Sequence, residues 1–285
     1  MAGPTAIVLA LSCPDRIGIV YAVSGFLGAH ELNIVESQQF GDPNTHRFFL
    51  RVEAHATSTV DLDALRSDFE TLAEEFSMSW ALHDPTDRPV LLILVSRLGH
   101  CLNDLLYRHR TGALAAAIPA VVSNHPDLAP VAEMYGIPFH HLPIEPDGQA
   151  AQEQLILAMV DDLGVDLAVL ARYMQILSPS VVDHLPSRII NIHHGLLPGF
   201  EGASPHRQAF DAGVKVIGAT AHYVTSELDR GPIIEQTVDR VDHAATPATI
   251  QSLTHDLECR ALARAVQWHL EHRVLCNGTK TVVFA

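Results

Sequence analysis

No stretch of the 285-residue sequence approaches the ~18 uninterrupted apolar residues of a membrane-spanning helix, so no anchor in a bilayer is expected. The amino terminus has no basic leader, and its short apolar run from Ala6 to Leu11 breaks at Cys13-Pro14-Asp15, unlike an export signal. Cysteine is scarce. Cys13, Cys101, Cys259 and Cys276 show no C-x-x-C spacing, which argues against a zinc ribbon or a disulfide framework and fits a reducing compartment. The cytoplasm is the expected location. Positive charge is scarce as well: 18 Lys and Arg stand against 33 Asp and Glu, a formal net charge of -15. Without a basic stripe, nucleic acid is not an expected partner. A few placed cations, such as Arg97, Arg172, Arg207 or Lys215, still suffice for an anionic small molecule. Internal repeats and low-complexity tracts are also missing.

What is present is a composition of 48% hydrophobic and 18% charged residues, that of a folded chain with buried sheets. Its length favours two domains. Residues 1–84 read as two strand-helix-strand units. Strand Thr5 to Ser12 precedes a helix between Arg16 and His30, whose Ile19, Val20, Val23, Phe26 and Leu27 recur at helical spacing. A strand from Asn33 to about Phe40 meets turn residues at Asp42-Pro43-Asn44-Thr45. The next strand alternates, with Phe48, Leu50 and Val52 on one face and Arg47, Phe49, Arg51 and Glu53 on the other, as a half-buried strand would. Leu62, Leu65, Phe69, Leu72 and Phe76 then give a helix one apolar stripe, and Met78 to His83 supplies the last strand. This βαββαβ order predicts a ferredoxin-like domain.

The polar segment Asp84 to Pro89 is the predicted connector, leaving 85–285 as the second domain. There, apolar strands Val90 to Ser96, Ile118 to Ser123, Phe139 to Leu142, Leu167 to Leu170, Arg188 to Ile192 and Lys215 to Thr225 alternate with helices. Those helices are Leu102 to Arg110, Pro126 to Tyr135, Gln149 to Leu163 and Pro179 to His184, with Pro247 to Glu271 closing the chain. The pattern predicts a doubly wound α/β fold with a mostly parallel sheet.

Ligands of such sheets sit beyond the carboxyl ends of strands. Three segments place polar residues there: Ala171 to Gln175, Asn191-Ile192-His193-His194, and Ser226 to Pro232. Asn191 and His193, two apart, share a face, with His194 on the other. Adjacent histidines do not readily chelate one ion, so no metal is expected. An amide beside an imidazole suits a carbonyl turning into an oxyanion: Asn191 donates, and His193 donates or moves a proton to or from water. A carboxylate at Asp229 close to His193 would favour its protonated form and orient an attacking water. Any one of the 18 histidines could equally be structural, and Asn191 and His193 could simply cap a loop. The glycine-rich Gly195 to Gly202 reads as a lid or a tight connection, and Ser96 to His100 as an anion position at a helix N-terminus or, given its single glycine, as a structural turn, the better reading.

Several long motifs occur in a fixed order along nearly the whole chain. They are Cys13-Pro-Asp-Arg16 with Gly18-Ile-Val20, His100-Cys-Leu102 with Asp104-Leu-Leu106, Val169 to Ser178, Ile190 to His194, Gly213 to Thr225, Leu228-Asp229 and Gly231 to Ile234. In these the sequence resembles the formyltetrahydrofolate deformylases, the hydrolytic members of the folate formyltransferase family. The resemblance implies that residues 1–84 form an ACT-type regulatory domain that pairs across subunits into a homo-oligomer. It would bind an amino-acid effector near Asp15, Arg16, Gly18 and Asn33. It implies Asn191, His193 and Asp229 as catalytic residues. The reduced pterin would lie along Arg172, Tyr173, Met174, Gln175, Ile176 and Leu177, with His100 and Thr225 also on the substrate. The implied reaction hydrolyses 10-formyltetrahydrofolate to formate and tetrahydrofolate. It needs no metal or covalent cofactor. Transfer of the formyl group to an amine, or a non-catalytic folate and amino-acid sensor, are the alternatives. Gly195, Gly199 and Pro205-His206 stand where the family pattern has Ser, Ala and Pro-Tyr, so substrate preference and turnover are where a departure is expected.

Overall fold

The computed structural model describes residues 5–199 and 205–285, which divide into two compact units, Met1–Asp87 with Glu271–Ala285, and Arg88–Leu270. Among the described residues no helix is long and apolar enough to cross a membrane.

The first unit is built on β1 (Ala6–Pro14), α1 (Ile19–Ala29), β2 (Leu32–Asp42), β3 (Arg47–Ala56), α2 (Leu62–Phe76) and β4 (Ser79–His83). Its antiparallel sheet has the order β2-β3-β1-β4, the split arrangement expected of βαββαβ. Helix α1 begins at Ile19, the first residue of the apolar spacing, because Gly18 takes a left-handed φ of 100° that ends the incoming loop and that glycine tolerates best. Asp61 starts α2 by accepting from the backbone N–H groups of Asp63 and Ala64. Ile7, Leu9, Leu11, Leu50 and Val52 meet Val23, Leu27, Leu65 and Phe69 of the helices in one core.

Two sequence expectations fail here for one reason. Strand β3 is not half-buried: Phe48 through Val52 are all buried, Phe49 and Arg51 included. The far face of its sheet is covered by the end of the chain. Residues 271–285, expected in the second domain, return to this unit as a hairpin of β12 (Val274–Asn277) and β13 (Lys280–Val283). Arg51 donates to Glu271 O at 3.1 Å and to Glu36 at 2.7 Å, and Asn277 Nδ2 donates to Asp42 at 2.7 Å. Asn277-Gly278, with Gly278 at φ 62°, is the local turn signal that marks this hairpin.

The hairpin arm also sets up a pH response. His83 stacks on His272 at 3.4 Å between ring centroids, and burial, aided by the Arg66 charge, lowers its pKa to about 4. Its neutral form belongs to the fold, so an unfolded chain binds the proton first as pH falls below about 6.5. Stability from His83 is therefore complete above that pH and lost down to about 4. The expected loss is about 2 kcal/mol once partial solvent exposure is allowed for. His83→Phe keeps the stack and removes the titration; urea melts of both proteins at pH 7.5 and 5 should converge at the higher pH and separate at the lower. Equal losses in the two proteins would rule His83 out as the source.

The second unit carries a seven-stranded sheet of order β11-β10-β9-β8-β5-β6-β7. In chain order its strands are β5 (Val90–Val95), β6 (Ala117–Ser123), β7 (Phe139–His141), β8 (Leu167–Leu170), β9 (Ile189–His193), β10 (Val216–Tyr223) and β11 (Ile233–Arg240). Its helices are α3 (His100–Thr111), α4 (Ala129–Met134), α5 (Gln149–Leu163), α6 (Pro179–His184), α7 (Pro205–Asp211) and α8 (Pro247–Leu270). Strands β5 to β9 pair in parallel, and their apolar runs suit burial on both faces. Leu92, Leu94, Val122, Ile156, Val160, Leu170 and Ile189 fill one side of the sheet. This is an α/β fold with a mostly parallel central sheet. The exceptions matter: β10 runs antiparallel to both β9 and β11.

Candidate active site

The antiparallel turn of β10 changes how the polar residues meet. A carboxyl end of β10 at the same edge as that of β9 is what a parallel reading implies, but the register sets His222 opposite Asn191 and Thr220 opposite His193. Paired residues in a ladder point to the same side, as do residues two apart in one strand. Asn191, His193 and His222 therefore gather over one face of β9 and β10. Asn191 Nδ2 lies 3.2 Å from His222 Nε2, and His222 Nδ1 lies 2.8 Å from the Tyr223 carbonyl oxygen. A carbonyl only accepts, so Nδ1 of His222 carries its proton and Nε2 receives the amide N–H of Asn191.

Asp229 reaches this face because the loop after β10 folds back. Tyr223 N–H donates to Pro232 O at 2.9 Å, and Gly231 packs so tightly under that strand end that a Cβ there would overlap the Tyr223 carbonyl. Asp229 itself adopts a left-handed φ of 55°, which short polar side chains tolerate. Its Oδ2 lies 3.2 Å from His193 Nδ1 and its Oδ1 3.7 Å from His222 Nε2. The hydrogen bond from His193 holds the Asp229 carboxyl well below the usual carboxylate range despite its burial. With Nδ1 of His193 turned to Asp229, the other ring nitrogen, Nε2, is buried without a hydrogen-bond partner among the described residues. His194, expected on the far side, lies past the end of β9 and is freed from its alternation; its ring is 5.3 Å from that of His193, and both line the same cavity.

That cavity, about 300 Å³, is bounded by Arg172 to Leu177 on one side and Val224 to Asp229 on the other, with Asn191, His193 and His222 among its walls. The size is at the small end of ligand pockets. Met174, Ile176 and Leu228 remain 53%, 64% and 60% exposed, an apolar rim suited to a flat ring. Helix α5 fixes the first wall: Gln149 donates to Ile176 O at 2.7 Å, Ser178 N–H donates to Glu153 at 2.9 Å, and the buried Tyr173 hydroxyl donates to Gln152 at 3.0 Å. Burial pushes the Tyr173 phenol up to about 12, so it stays a donor.

Ser96 belongs to the turn that ties two strand ends together. Its hydroxyl bonds Asn124 at 2.7 Å and accepts from Met174 N–H at 3.0 Å, while its own N–H donates to Arg172 O at 3.2 Å. The start of Gly195 to Gly202 is likewise pinned: Thr220 donates to Gly195 O at 2.8 Å and accepts from Leu197 N–H at 3.1 Å, and Gln236 donates to Leu197 O at 3.0 Å. Residues 200–204 and the side chains of Pro205 and His206 lie outside the described residues.

His100 is absent from the cavity lining among the described residues and is engaged elsewhere: its Nε2 lies 2.7 Å from Glu258 Oε2, which also lies 3.4 Å from Arg172 Nε. Burial opposes ionisation of Glu258, yet the His100 hydrogen bond and the Arg172 charge together hold its carboxyl below the ordinary value. With His255 the group brings two imidazoles and a carboxylate within 4.8 Å of one another, a donor set that zinc accepts. The Arg172 guanidinium at the shared oxygen opposes a second cation there.

Of the residues singled out in the sequence, Asn191, His193, Asp229, Thr225 and Arg172 to Leu177 share one cavity. His222, Gln149, Gln152, Glu153 and Glu258 were not legible. His222 ends an apolar strand as His193 does, and that parallel is the signal that finds it. In the first unit, Asp15, Arg16 and Gly18 lie in the β1 to α1 loop, and Asn33, the second residue of β2, pairs with His55. The Arg16 guanidinium lies over Phe76 at 4.0 Å.

The sequence profile of the family described as Formyl transferase matches residues 90–266. A formyltetrahydrofolate deformylase of Corynebacterium sp. (strain P-1) is 49% identical over 277 residues, 97% of each chain. The crystal structure of a formyltetrahydrofolate deformylase from Burkholderia mallei ATCC 23344 is 51% identical with a TM-score of 0.94, covering 99% of this chain and 100% of that one. Glycinamide ribonucleotide transformylase 1 from Symbiobacterium toebii is more distant, 29% identical with a TM-score of 0.66 over 70% of this chain and 95% of its own.

Proposed function

The chain belongs to the formyltetrahydrofolate deformylases of the formyl transferase family, and from that premise we propose that it hydrolyses 10-formyltetrahydrofolate to formate and tetrahydrofolate at the face of β9 and β10. The observation that carries this reading is the linked set Asn191, His222, Asp229 and His193, joined at 3.2 to 3.7 Å beside a cavity with an apolar rim. The pterin lies between Tyr173 to Leu177 and Thr225 to Asp229, where backbone polar groups and Met174, Ile176 and Leu228 offer edges and faces to a planar ring.

One N–H of Asn191 is spent on His222, which fixes the amide and leaves the second to donate to the formyl oxygen. As water adds to the formyl carbon, that oxygen gains charge, and donors already aimed at it stabilise the tetrahedral intermediate without reorganising. His193, oriented through Nδ1 by Asp229, presents Nε2 to the same centre, where it takes the proton of the attacking water or donates to the oxyanion. The C–N10 bond then breaks, N10 receives the proton, and formate leaves. No step requires a metal.

The first unit we assign as an ACT-type regulatory domain for an amino-acid effector, pairing with a second copy. Its βαββαβ order supports this, as do Ile17, Val20 and Tyr21, which stand exposed around Gly18 at the head of α1.

Purified full-length protein given 10-formyltetrahydrofolate should release formate and tetrahydrofolate in equal amounts, read by a coupled formate assay with and without a panel of amino acids. Binding of the folate without formate release under every amino acid would overturn hydrolysis in favour of a sensor.

A further inference from the structure

In an open parallel sheet the crevice for a ligand opens where the strand order reverses. Here that point lies between β5 and β8, because the chain lays β6 and β7 on one side of β5 and then crosses to β8 on the other. In this chain the crevice is filled by its own charged side chains. Glu258 of α8 is 1% exposed and is shared by His100 at the head of α3, at 2.7 Å, and by Arg172 after β8, at 3.4 Å. His255, one turn earlier on α8, stacks on the His100 ring at 4.2 Å with 16° between planes. Arg172 lines the reaction cavity, while Glu258, His100 and His255 stand behind it. The Arg172 side chain is 9% exposed, and its Nη1 has no hydrogen-bond partner among the described residues.

This is an expensive way to fill space. Arg172 holds a left-handed φ of 66°, where a long side chain is rarely found, and a buried ion pair is seldom better for stability than apolar residues of the same volume. What the group does achieve is to bring four large side chains together at the sheet's switch point, with Arg172 on the wall of the cavity that holds Asn191 and His193. A transformylase has to admit a second substrate beside the formyl group, whereas a hydrolase has to admit only water.

We propose that His100, Arg172, His255 and Glu258 form an acceptor-excluding wall: they occupy the space through which an amine would approach the formyl carbon and so reserve that carbon for water. The proposal rests on the hydrolysis reading above. With the wall removed, an amine nitrogen bonds to the formyl carbon, the C–N10 bond breaks, and a proton from the amine ends on N10. The products are then a formamide and tetrahydrofolate.

The test uses the full-length enzyme with 10-formyltetrahydrofolate and rising glycinamide as a small amine, measuring N-formylglycinamide against formate. Wild type should give formate at every amine concentration. Arg172→Gly with Glu258→Ala suits the left-handed backbone and removes both ionic partners together, so no buried charge is stranded. It should raise the ratio of formylated amine to formate by about tenfold or more, the scale on which one pocket group changes discrimination. Arg172→Met with Glu258→Gln, uncharged but similarly bulky, should keep the wild-type ratio. An unchanged ratio in the emptied variant, or an equal rise in the bulky one, overturns the wall. If the emptied variant does not fold, His100→Ala with His255→Ala opens the outer half of the crevice and must show the same rise. A wild type that releases no formate would instead sink the hydrolysis reading and leave a distinct signature.

Discussion

Asp229→Asn should lower the rate of formate release on the order of 10³- to 10⁴-fold, the scale seen when the carboxylate that orients a catalytic imidazole becomes an amide. Asp229 Oδ2 accepts from Nδ1 of His193, and that bond selects which ring nitrogen carries the proton and which one faces the formyl group. An amide keeps the size of the side chain, but it can turn a donor toward His193, which would move the proton to Nε2 and disable it as a base. The change should fall on kcat, with KM little altered, because the orienting contact matters most as charge develops. Stability gives a second readout. The folded pKa of Asp229 lies well below its unfolded value, near 3.9, so the carboxylate stabilises the fold above that pH and the contribution fades as pH falls through the folded value. Asp229→Asn should therefore melt lower than wild type at neutral pH, with the gap closing below about pH 4. A variant that retains formate release within about threefold of wild type would remove Asp229 from the chemistry.

The order of elements in both units was readable because each leaves a period in the sequence. Leu62, Leu65, Phe69, Leu72 and Phe76 mark one helical face, and Val90 to Val95 form an unbroken apolar run for a strand buried on both sides. Missed elements lack such periods. Strand β11 lies at a sheet edge, and its Ile-Ile-Glu-Gln-Thr-Val-Asp-Arg has few apolar residues because one side meets water. The hairpin of β12 and β13 has strands of only four residues, too short to establish alternation, and its covering of β3 depends on contacts between residues over 200 positions apart.

The site divides the same way. Asn191 and His193 were visible because polar residues two apart at the end of an apolar strand are unusual, and Asp229 because its loop is rich in turn residues. That the three meet is a property of the antiparallel pairing of β9 with β10 and of the tight approach at Gly231, and no local pattern encodes either. His222 went unselected for that reason: its place near the end of an apolar strand marks a candidate, but it joins the group only because the register sets it opposite Asn191. The network of Arg172 and Glu258 depends in turn on α8 packing against α3 and β9, which brings Glu258 to His100 and Arg172, a tertiary fact.

Asn191→Ala should cost on the order of 10²- to 10³-fold in kcat, the usual loss when one oxyanion donor is removed. Two effects contribute, and they can be separated. The first is the lost N–H to the formyl oxygen, which acts only as the oxygen becomes charged and so leaves KM nearly unchanged. The second is indirect: without the amide donor, Nε2 of His222 loses its 3.2 Å partner, and the unheld ring can shift against Asp229 and disturb its bond with His193. His222→Phe distinguishes them, because a ring without nitrogens needs no donor from residue 191. If oxyanion stabilisation dominates, Asn191→Ala costs as much in the His222→Phe background as it does alone. If the support of His222 dominates, Asn191→Ala costs little once His222 is replaced. Single-turnover formate release from wild type, the two single variants and the double variant decides between the two. Wild-type rates in Asn191→Ala would leave the oxyanion without its proposed donor, and the hydrolytic centre would have to be sought around His193 alone.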